Sequence, residues 1–116
     1  MERICVIKDI YKALYRFERD FAEEHGITIN EAMVLCSLKE GETRTAGALS
    51  EYVGLSKVIT AVENKGYVQR EIAPHDKRQM VFSLTDEGRA KIRSVMASGL
   101  HCSALFDALR RSMEEA

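Results

Sequence analysis

The sequence predicts a mainly α chain that carries one small β-hairpin. Two observations lead to this fold class. Over most of the 116 residues, apolar side chains recur every three or four positions, which is the spacing of amphipathic helices. Between Tyr67 and Leu84 the spacing changes to alternation, which is typical of a pair of half-buried strands. The individual elements follow from capping residues and glycines.

The first helix is predicted from Arg3 to about His25, and Gly26 supplies the residue that ends it. Its apolar stripe consists of Ile4, Ile7, Ile10, Tyr11, Leu14, Phe17 and Phe21. A long helix with such a stripe must pack against something. A core within one chain and a seam between two copies both satisfy this requirement, and the sequence leaves both open.

Three shorter helices are predicted next, each lying between a capping residue and a glycine. Thr28 also forms a capping box with Glu31. The fourth helix covers residues 57–65. The caps and closing glycines are, in chain order, Thr28 with Gly41, Thr45 with Gly54, and Ser56 with Gly66. Two short helices joined by a tight turn match helix-turn-helix spacing, in which the second helix enters the DNA major groove.

The hairpin is predicted to pair strands at Tyr67–Ile72 and Gln79–Leu84. Its connection, Ala73–Arg78, is rich in positive charge and is too long for a two-residue loop. A hairpin of this kind after a helix-turn-helix is typical of a wing.

Two helices complete the chain. Thr85 caps the first of them, in which Gly88 is a weak point because glycine disfavours helix. The pattern falters at Ser98-Gly99. A last helix is predicted to carry Leu100, Leu105, Phe106, Leu109 and Met113.

Charge limits the way in which this chain could bind nucleic acid. The formal net charge is −1, so any DNA binding must come from a local patch rather than from overall basicity. From Glu42 to Arg78, six basic residues face five acidic ones, a balance of only +1. Two copies in a dimer would have to present these bases on one face.

Other function classes find no support in the sequence. No apolar run approaches the roughly 20 residues of a membrane span, and the three cysteines are widely spaced, so a cytoplasmic protein is expected. The histidines and cysteines lack metal-ligand spacing, and no nucleophile–base pair or cofactor motif is present. We expect no enzyme activity, no cofactor and no metal.

Several motifs together resemble the MarR family. They cover about half of the chain in the family's order, and their combination carries the resemblance. The matching segments are Ile27–Glu31, Leu49–Ser56, Val62–Val68, the D-x-R of Asp76–Arg78, and the L-T-x-x-G of Leu84–Gly88. The resemblance implies a DNA-binding transcriptional regulator of repressor type with a winged helix-turn-helix fold. It also implies a pseudo-palindromic operator and a small-molecule effector that binds between the dimer region and the DNA-binding lobe.

The resemblance also implies a division of the single domain, residues 1–116. Residues 1–26 and 86–116 would form N- and C-terminal dimerisation helices, and residues 27–85 the DNA-binding lobe. The residues expected at the homodimer interface are Ile4, Ile7, Tyr11, Leu14, Leu105, Phe106 and Leu109.

Roles at the DNA follow from the same resemblance. Arg78 is expected to enter the minor groove, where the negative potential is enhanced, and Asp76 to fix the shape of the wing. Candidate phosphate contacts are His75, Lys77 and Arg70. On the recognition helix, Lys57, Thr60 and Asn64 lie opposite the apolar Val58, Ile59 and Val62.

Two departures from the family pattern leave questions open. Between Gly54 and Gly66 the chain has about five residues fewer than the family pattern, near Leu55–Lys57, at the base-reading end of the recognition helix. Either this is a true deletion or the native chain is longer than the printed one. A deletion, together with the low charge, favours the alternative of a winged-helix protein-interaction module that has lost sequence-specific DNA binding. Cys5 lies on the first helix, where some relatives sense oxidants, but the aromatic surroundings of those sensors are not recognisable here.

Overall fold

The computed structural model describes residues 3–53 and 57–115, and the side chains of Tyr52, Val53 and Glu115 are left out of the description. The helices are α1 (Arg3–His25), α2 (Ile29–Ser37), α3 (Ala46–Val53), α4 (Lys57–Asn64), α5 (Asp86–Ser98) and α6 (Ser103–Glu115). The strands are β1 (Arg44–Thr45), β2 (Val68–Ala73) and β3 (Asp76–Leu84). A short 3-10 turn, Lys39–Gly41, follows α2. The predicted mainly α fold with a small wing is confirmed.

The chain forms two compact units. One runs up to Thr28 and resumes at Gly99, and the other, the winged unit, covers Ile29–Ser98. Contacts therefore group α5 with the winged unit, whereas the sequence grouped residues 86–116 with the first helix. The physical reason is that α5 packs against α2 and β3. The core of the winged unit includes Val34, Leu35, Leu38, Leu49 and Val62.

In the terminal unit, α1 packs against α6. The predicted bounds of the first helix are confirmed, and Gly26 follows with a φ of 72°. Leu100 was expected on the last helix, and this was wrong, because Gly99 has a φ of 72° and α6 begins only at Ser103. Among the described helices, none is both long and apolar enough to cross a membrane.

The second helix ends earlier than predicted. It stops at Ser37, whose hydroxyl donates a hydrogen bond to the carbonyl of Val34, and Gly41 does not close it. The chain then tightens into the 3-10 turn, where Glu40 and Gly41 have φ angles of 65° and 78°. Such angles are rare for a residue with a side chain, and the turn redirects the chain into β1.

The sheet has three antiparallel strands in the order β1-β3-β2. The sequence predicted β2 and β3 but not β1, which pairs Arg44 with Phe82 and Thr45 with Val81. The predicted long connection between the strands is wrong, because Ala73 pairs with Asp76 and leaves a two-residue turn. The register slips between Ile72 and Ala73, so the extra residues, 77–79, are accommodated as a bulge within β3.

Three of the predicted helix ends are confirmed by their capping hydrogen bonds. The Thr45 hydroxyl accepts a hydrogen bond from the amide of Ala48 at the start of α3. At the end of α4, the Gly66 amide bonds the carbonyl of Glu63 and the Tyr67 amide bonds that of Val62, the pattern of a Schellman cap. The Thr85 hydroxyl accepts from the amide of Gly88 at the start of α5.

The start of α5 packs closely against Gly66 and Tyr67, the residues that follow α4, and the contact is closest at Gly88. The Thr85 hydroxyl donates to the carbonyl of Gly66 at 2.6 Å, and the Thr85 amide donates to that of Tyr67 at 3.1 Å. A Cβ at position 88 would overlap the Tyr67 carbonyl and press on Leu84. The predicted weak point in the helix is therefore a position where the fold requires glycine.

We expect Gly88→Ala to destabilise the protein by about 1–3 kcal/mol, although alanine is the better helix former, because the clash is with backbone rather than with a flexible side chain. Urea unfolding measures the change in free energy. The matched control is Gly47→Ala in α3, where an added Cβ meets only the Thr45 hydroxyl at 4.0 Å. The control should be neutral or slightly stabilising. Equal effects of the two substitutions would contradict the role given to Gly88.

Candidate nucleic-acid interface

The recognition helix α4 is amphipathic and short. Ile59 and Val62 are buried, whereas Lys57, Thr60 and Asn64 are exposed, as the sequence predicted. Residues three and seven positions apart lie on one side of a helix, so these polar side chains form one exposed face. The segment 54–56 lies outside the described residues, and with it the question of the shortened connection.

The carboxylate of Asp76 stabilises the backbone of the wing tip. Oδ1 of Asp76 accepts a hydrogen bond from the backbone amide of Arg78 at 3.0 Å, and it also lies 3.5 Å from Nε of that residue. The first of these bonds holds the bulge of β3 in shape. The Arg78 side chain is 94% exposed, and His75 and Lys77 are exposed beside it. The tip therefore presents cationic and polar groups on a backbone held by its own carboxylate.

Arg70 forms an ion pair within the winged unit. Its Nε donates to Oε2 of Glu63 at 2.6 Å and its Nη2 to Oε1 at 3.0 Å, a two-pronged ion pair between β2 and α4. The guanidinium also lies over the ring of Phe82, 5.2 Å from its centroid. The hydrogen bond from Arg70, more than its charge alone, lowers the pKa of the Glu63 carboxyl, and the same pair raises the pKa of Arg70. Sequence reasoning missed this ion pair.

A second ion pair joins α4 to α2. Lys65 Nζ lies 2.9 Å from Oε1 of Glu31, whose side chain is buried. The sequence assigned Glu31 only to a capping box. Burial of an unpaired carboxylate costs free energy of folding. The ion pair with Lys65 avoids this cost and holds the end of α4 against α2.

These contacts divide the bases of residues 44–78 into two groups. Arg44 pairs with Glu42 and also donates to the carbonyl of Ser37, and the pairs of Lys65 and Arg70 have been described. Within residues 3–53 and 57–115, Lys57 and Lys77 have no carboxylate partner. Arg78 has only the loose contact with Asp76. The positive charge of this segment that has no close carboxylate partner therefore lies at the start of α4 and at the wing tip.

In the described ranges, no group of three His, Cys, Asp or Glu side chains is placed to hold a metal ion. Cys5 is exposed on α1, and Cys36 and Cys102 are half-buried; all three are free thiols.

The two short helices α3 and α4, followed by the bulged hairpin of β2 and β3, define a winged helix-turn-helix protein. Solved structures share the fold. A probable transcriptional regulator from Pseudomonas aeruginosa is similar over 91% of this chain and 80% of its own, with a TM-score of 0.66 and 22% identity. A variant of MarR from E. coli, complexed with operator DNA, is similar over 97% of this chain and 82% of its own, with a TM-score of 0.66 and 22% identity. The MarR-type fold expected from the sequence is confirmed.

The family follows from a direct match of the sequence. The family model described as transcriptional regulator SarA/Rot matches residues 16–95. This chain therefore belongs to the SarA/Rot family of transcriptional regulators. It is also 30% identical over 82 residues to YdcH, an uncharacterised HTH-type transcriptional regulator of Bacillus subtilis. That match covers 63% of this chain and 56% of YdcH, so the chain spans just over half the length of this relative.

The ion pair between Glu63 and Arg70 makes stability depend on pH. Because the folded state lowers the pKa of Glu63, the pair stabilises the fold above the ordinary pKa of a glutamate, about 4.3, and this stabilisation is lost as the pH falls through the lowered value. Glu63→Gln should therefore lower the melting temperature at pH 7 and have progressively less effect toward pH 3.

Melting curves of the two proteins across this pH range measure the difference. The matched control is Glu71→Gln on β2, whose carboxylate accepts hydrogen bonds from Gln69 and Ser83 rather than from a cation. At each pH, the Glu63→Gln effect is compared with the effect of this control. A Glu63→Gln effect that is constant from pH 7 to pH 3 would contradict the assignment.

Proposed function

We propose that this chain is a repressor-type transcriptional regulator that binds double-stranded DNA as a homodimer, at a pseudo-palindromic operator. One observation carries the proposal. Lys57 and Lys77, which have no carboxylate partner in the described part of the chain, lie with Arg78 on the two elements that a winged helix brings to DNA. A near-neutral protein can bind DNA if its uncommitted charge is concentrated in this way. Some relatives are described as bound to DNA, which supports the proposal.

The proposed contacts follow the exposed groups. Lys57, Thr60 and Asn64 would face the major groove from α4, and Arg78 would enter the minor groove on a wing held by Asp76. Lys77 and His75 would contact phosphates beside it. Arg70 could contact a phosphate only if its guanidinium broke its ion pair with Glu63 or bound the carboxylate and the phosphate together.

Exposed apolar side chains support the proposed homodimer. On α1, Ile4 is 79% and Tyr11 70% exposed, and on α6 Phe106 is 61% exposed. Ile7, Leu14 and Leu109 are exposed on the same two helices. Apolar surface of this extent on two packed helices is typical of an interface. A dimer would place two recognition helices about one DNA turn apart.

We expect Arg78→Ala to weaken DNA binding on the order of tenfold or more, because it removes a charged contact with DNA. The fold should not change, because the side chain is exposed and contacts only Asp76 of the wing. A fluorescence titration with an operator selected from genomic fragments measures the affinity. The control is Arg19→Ala, which removes an exposed arginine of α1. Equal affinities of the two variants at moderate salt would refute the role of the wing.

The dimer is tested separately. Tyr11→Asp should convert the protein to a monomer at micromolar concentration, because it introduces a charge into the exposed apolar stripe of α1. Sedimentation equilibrium measures the mass. Arg19→Asp, an exposed position outside the stripe, should remain a dimer. A monomeric mass for the unaltered protein would contradict the proposal.

A further inference from the structure

Two apolar side chains are exposed side by side on the hairpin of β2 and β3. Alternate residues of a strand share a face of the sheet. The cross-strand pairs on one face are, from the base of the hairpin outward, Val68 with Leu84, Arg70 with Phe82, and Ile72 with Met80. The apolar members of the first two pairs are buried, whereas Ile72 is 60% and Met80 45% exposed. Ile72 and Met80, here called the apolar strip, therefore continue the apolar face of the sheet beyond the core.

The face that carries the apolar strip is turned toward the recognition helix. Arg70, on the same face, reaches Glu63 of α4 at 2.6 Å, and its guanidinium lies over the ring of Phe82. Ile72 and Met80 are the next residues outward on this face, before the turn that joins the strands. The strip therefore lies between the contact of the hairpin with α4 and the wing tip.

The opposite face of β2 is polar at the same level. The Gln69 amide donates to Oε1 of Glu71 at 3.1 Å, and the Ser83 hydroxyl donates to the same oxygen at 2.8 Å. A hairpin with one polar and one apolar face is typical of a sheet that packs its apolar face against a partner. Since the core of the winged unit leaves the strip exposed, its partner comes from outside this unit.

Duplex DNA would bring a strand with suitable chemistry to this face. A helix in the major groove and a wing in the adjacent minor groove lie on either side of one sugar-phosphate strand, which passes over the surface between them. Deoxyribose lacks the 2′-hydroxyl of ribose and presents C–H groups. Lys77 and Arg78 lie just beyond the strip on β3 and supply positive charge for the phosphates of such a strand.

We propose that Ile72 and Met80 pack against the deoxyribose rings of the DNA strand that passes between the recognition helix and the wing. The inference rests on the proposed DNA binding and adds to it a contact with sugars, distinct from the contacts with bases and phosphates. Such a contact contributes affinity by removing apolar surface from water. It releases no counterions, so its contribution does not depend on salt.

The test compares variants of the full chain in fluorescence titrations with the selected operator from 50 to 200 mM salt. Met80→Gln and Ile72→Thr, which keep the size of the side chains, should each weaken binding about fivefold to tenfold at every salt concentration. The slope of the logarithm of the binding constant against the logarithm of salt concentration should stay unchanged. Arg78→Ala should instead flatten this slope by about two, one for each copy.

The matched control is Met96→Gln on α5, which makes the same chemical change at a methionine that is 51% exposed outside the hairpin. It should bind DNA as the unaltered protein does. Melting curves should show the same stability for Met80→Gln, because the side chain is exposed. Hydroxyl-radical footprinting gives a second measurement, since the radical attacks the sugar. Met80→Gln at saturating concentration should lose protection of the nucleotides between the two groove contacts.

Three results would overturn the inference while leaving DNA binding intact. These are equal affinities of the unaltered protein and both variants, a loss of affinity accompanied by a flatter salt slope, and an unchanged footprint. A lower sedimentation mass for Met80→Gln would overturn it as well, because the strip would then belong to an interface between copies. Failure of the unaltered protein to bind any operator would contradict the proposed function itself, and this inference with it.

Discussion

The junction between Gly66-Tyr67 and the start of α5 is the contact on which the winged unit depends. The Thr85 hydroxyl accepts from the amide of Gly88 and donates to Gly66, and the absence of a side chain at Gly88 lets the backbone of α5 approach the carbonyl of Tyr67. The same turn ends the recognition helix and begins β2. One compact contact thus sets the position of α4, the base of the wing and the direction of α5, and the L-T-x-x-G motif is the sequence that forms it.

Ion pairing explains how a chain of net charge −1 can present a cationic surface. Lys65 and Arg70 lie close to the recognition helix, but each is held by a carboxylate, Glu31 or Glu63, that joins two elements of the fold. These pairs position α4 and leave little free charge in the middle of the lobe. Positive charge remains at Lys57, which has no carboxylate partner in the described part of the chain, and at the wing tip, where Asp76 makes only a 3.5 Å contact with the side chain of Arg78. A count of charges along the sequence cannot make this distinction, because it depends on which pairs the fold brings together.

The sequence predicted the elements whose signals are local. The bounds of α1, the Thr45 and Thr85 caps and the glycine that ends α4 all follow from residues within one turn of each other. It missed β1, because two residues carry no period. It also missed the bulge of residues 77–79, because a slip in register depends on the partner strand. The pair of Lys65 with Glu31 spans 34 positions, and only the folded chain brings these residues together. For the candidate site, the residues on α4 and at the wing could be named from their motifs, but the ion pair of Arg70 with Glu63 could not.

The salt dependence of DNA affinity tests the central claim most directly. If Lys57, Lys77 and Arg78 of both copies displace counterions from DNA, the logarithm of the binding constant should fall with the logarithm of salt concentration with a slope of about −5, at about −0.9 per neutralised phosphate. The alternative, a winged-helix module that binds another protein, predicts weak DNA binding without operator preference. A slope near zero, or an operator bound no more tightly than random DNA at 50–200 mM salt, would contradict the account.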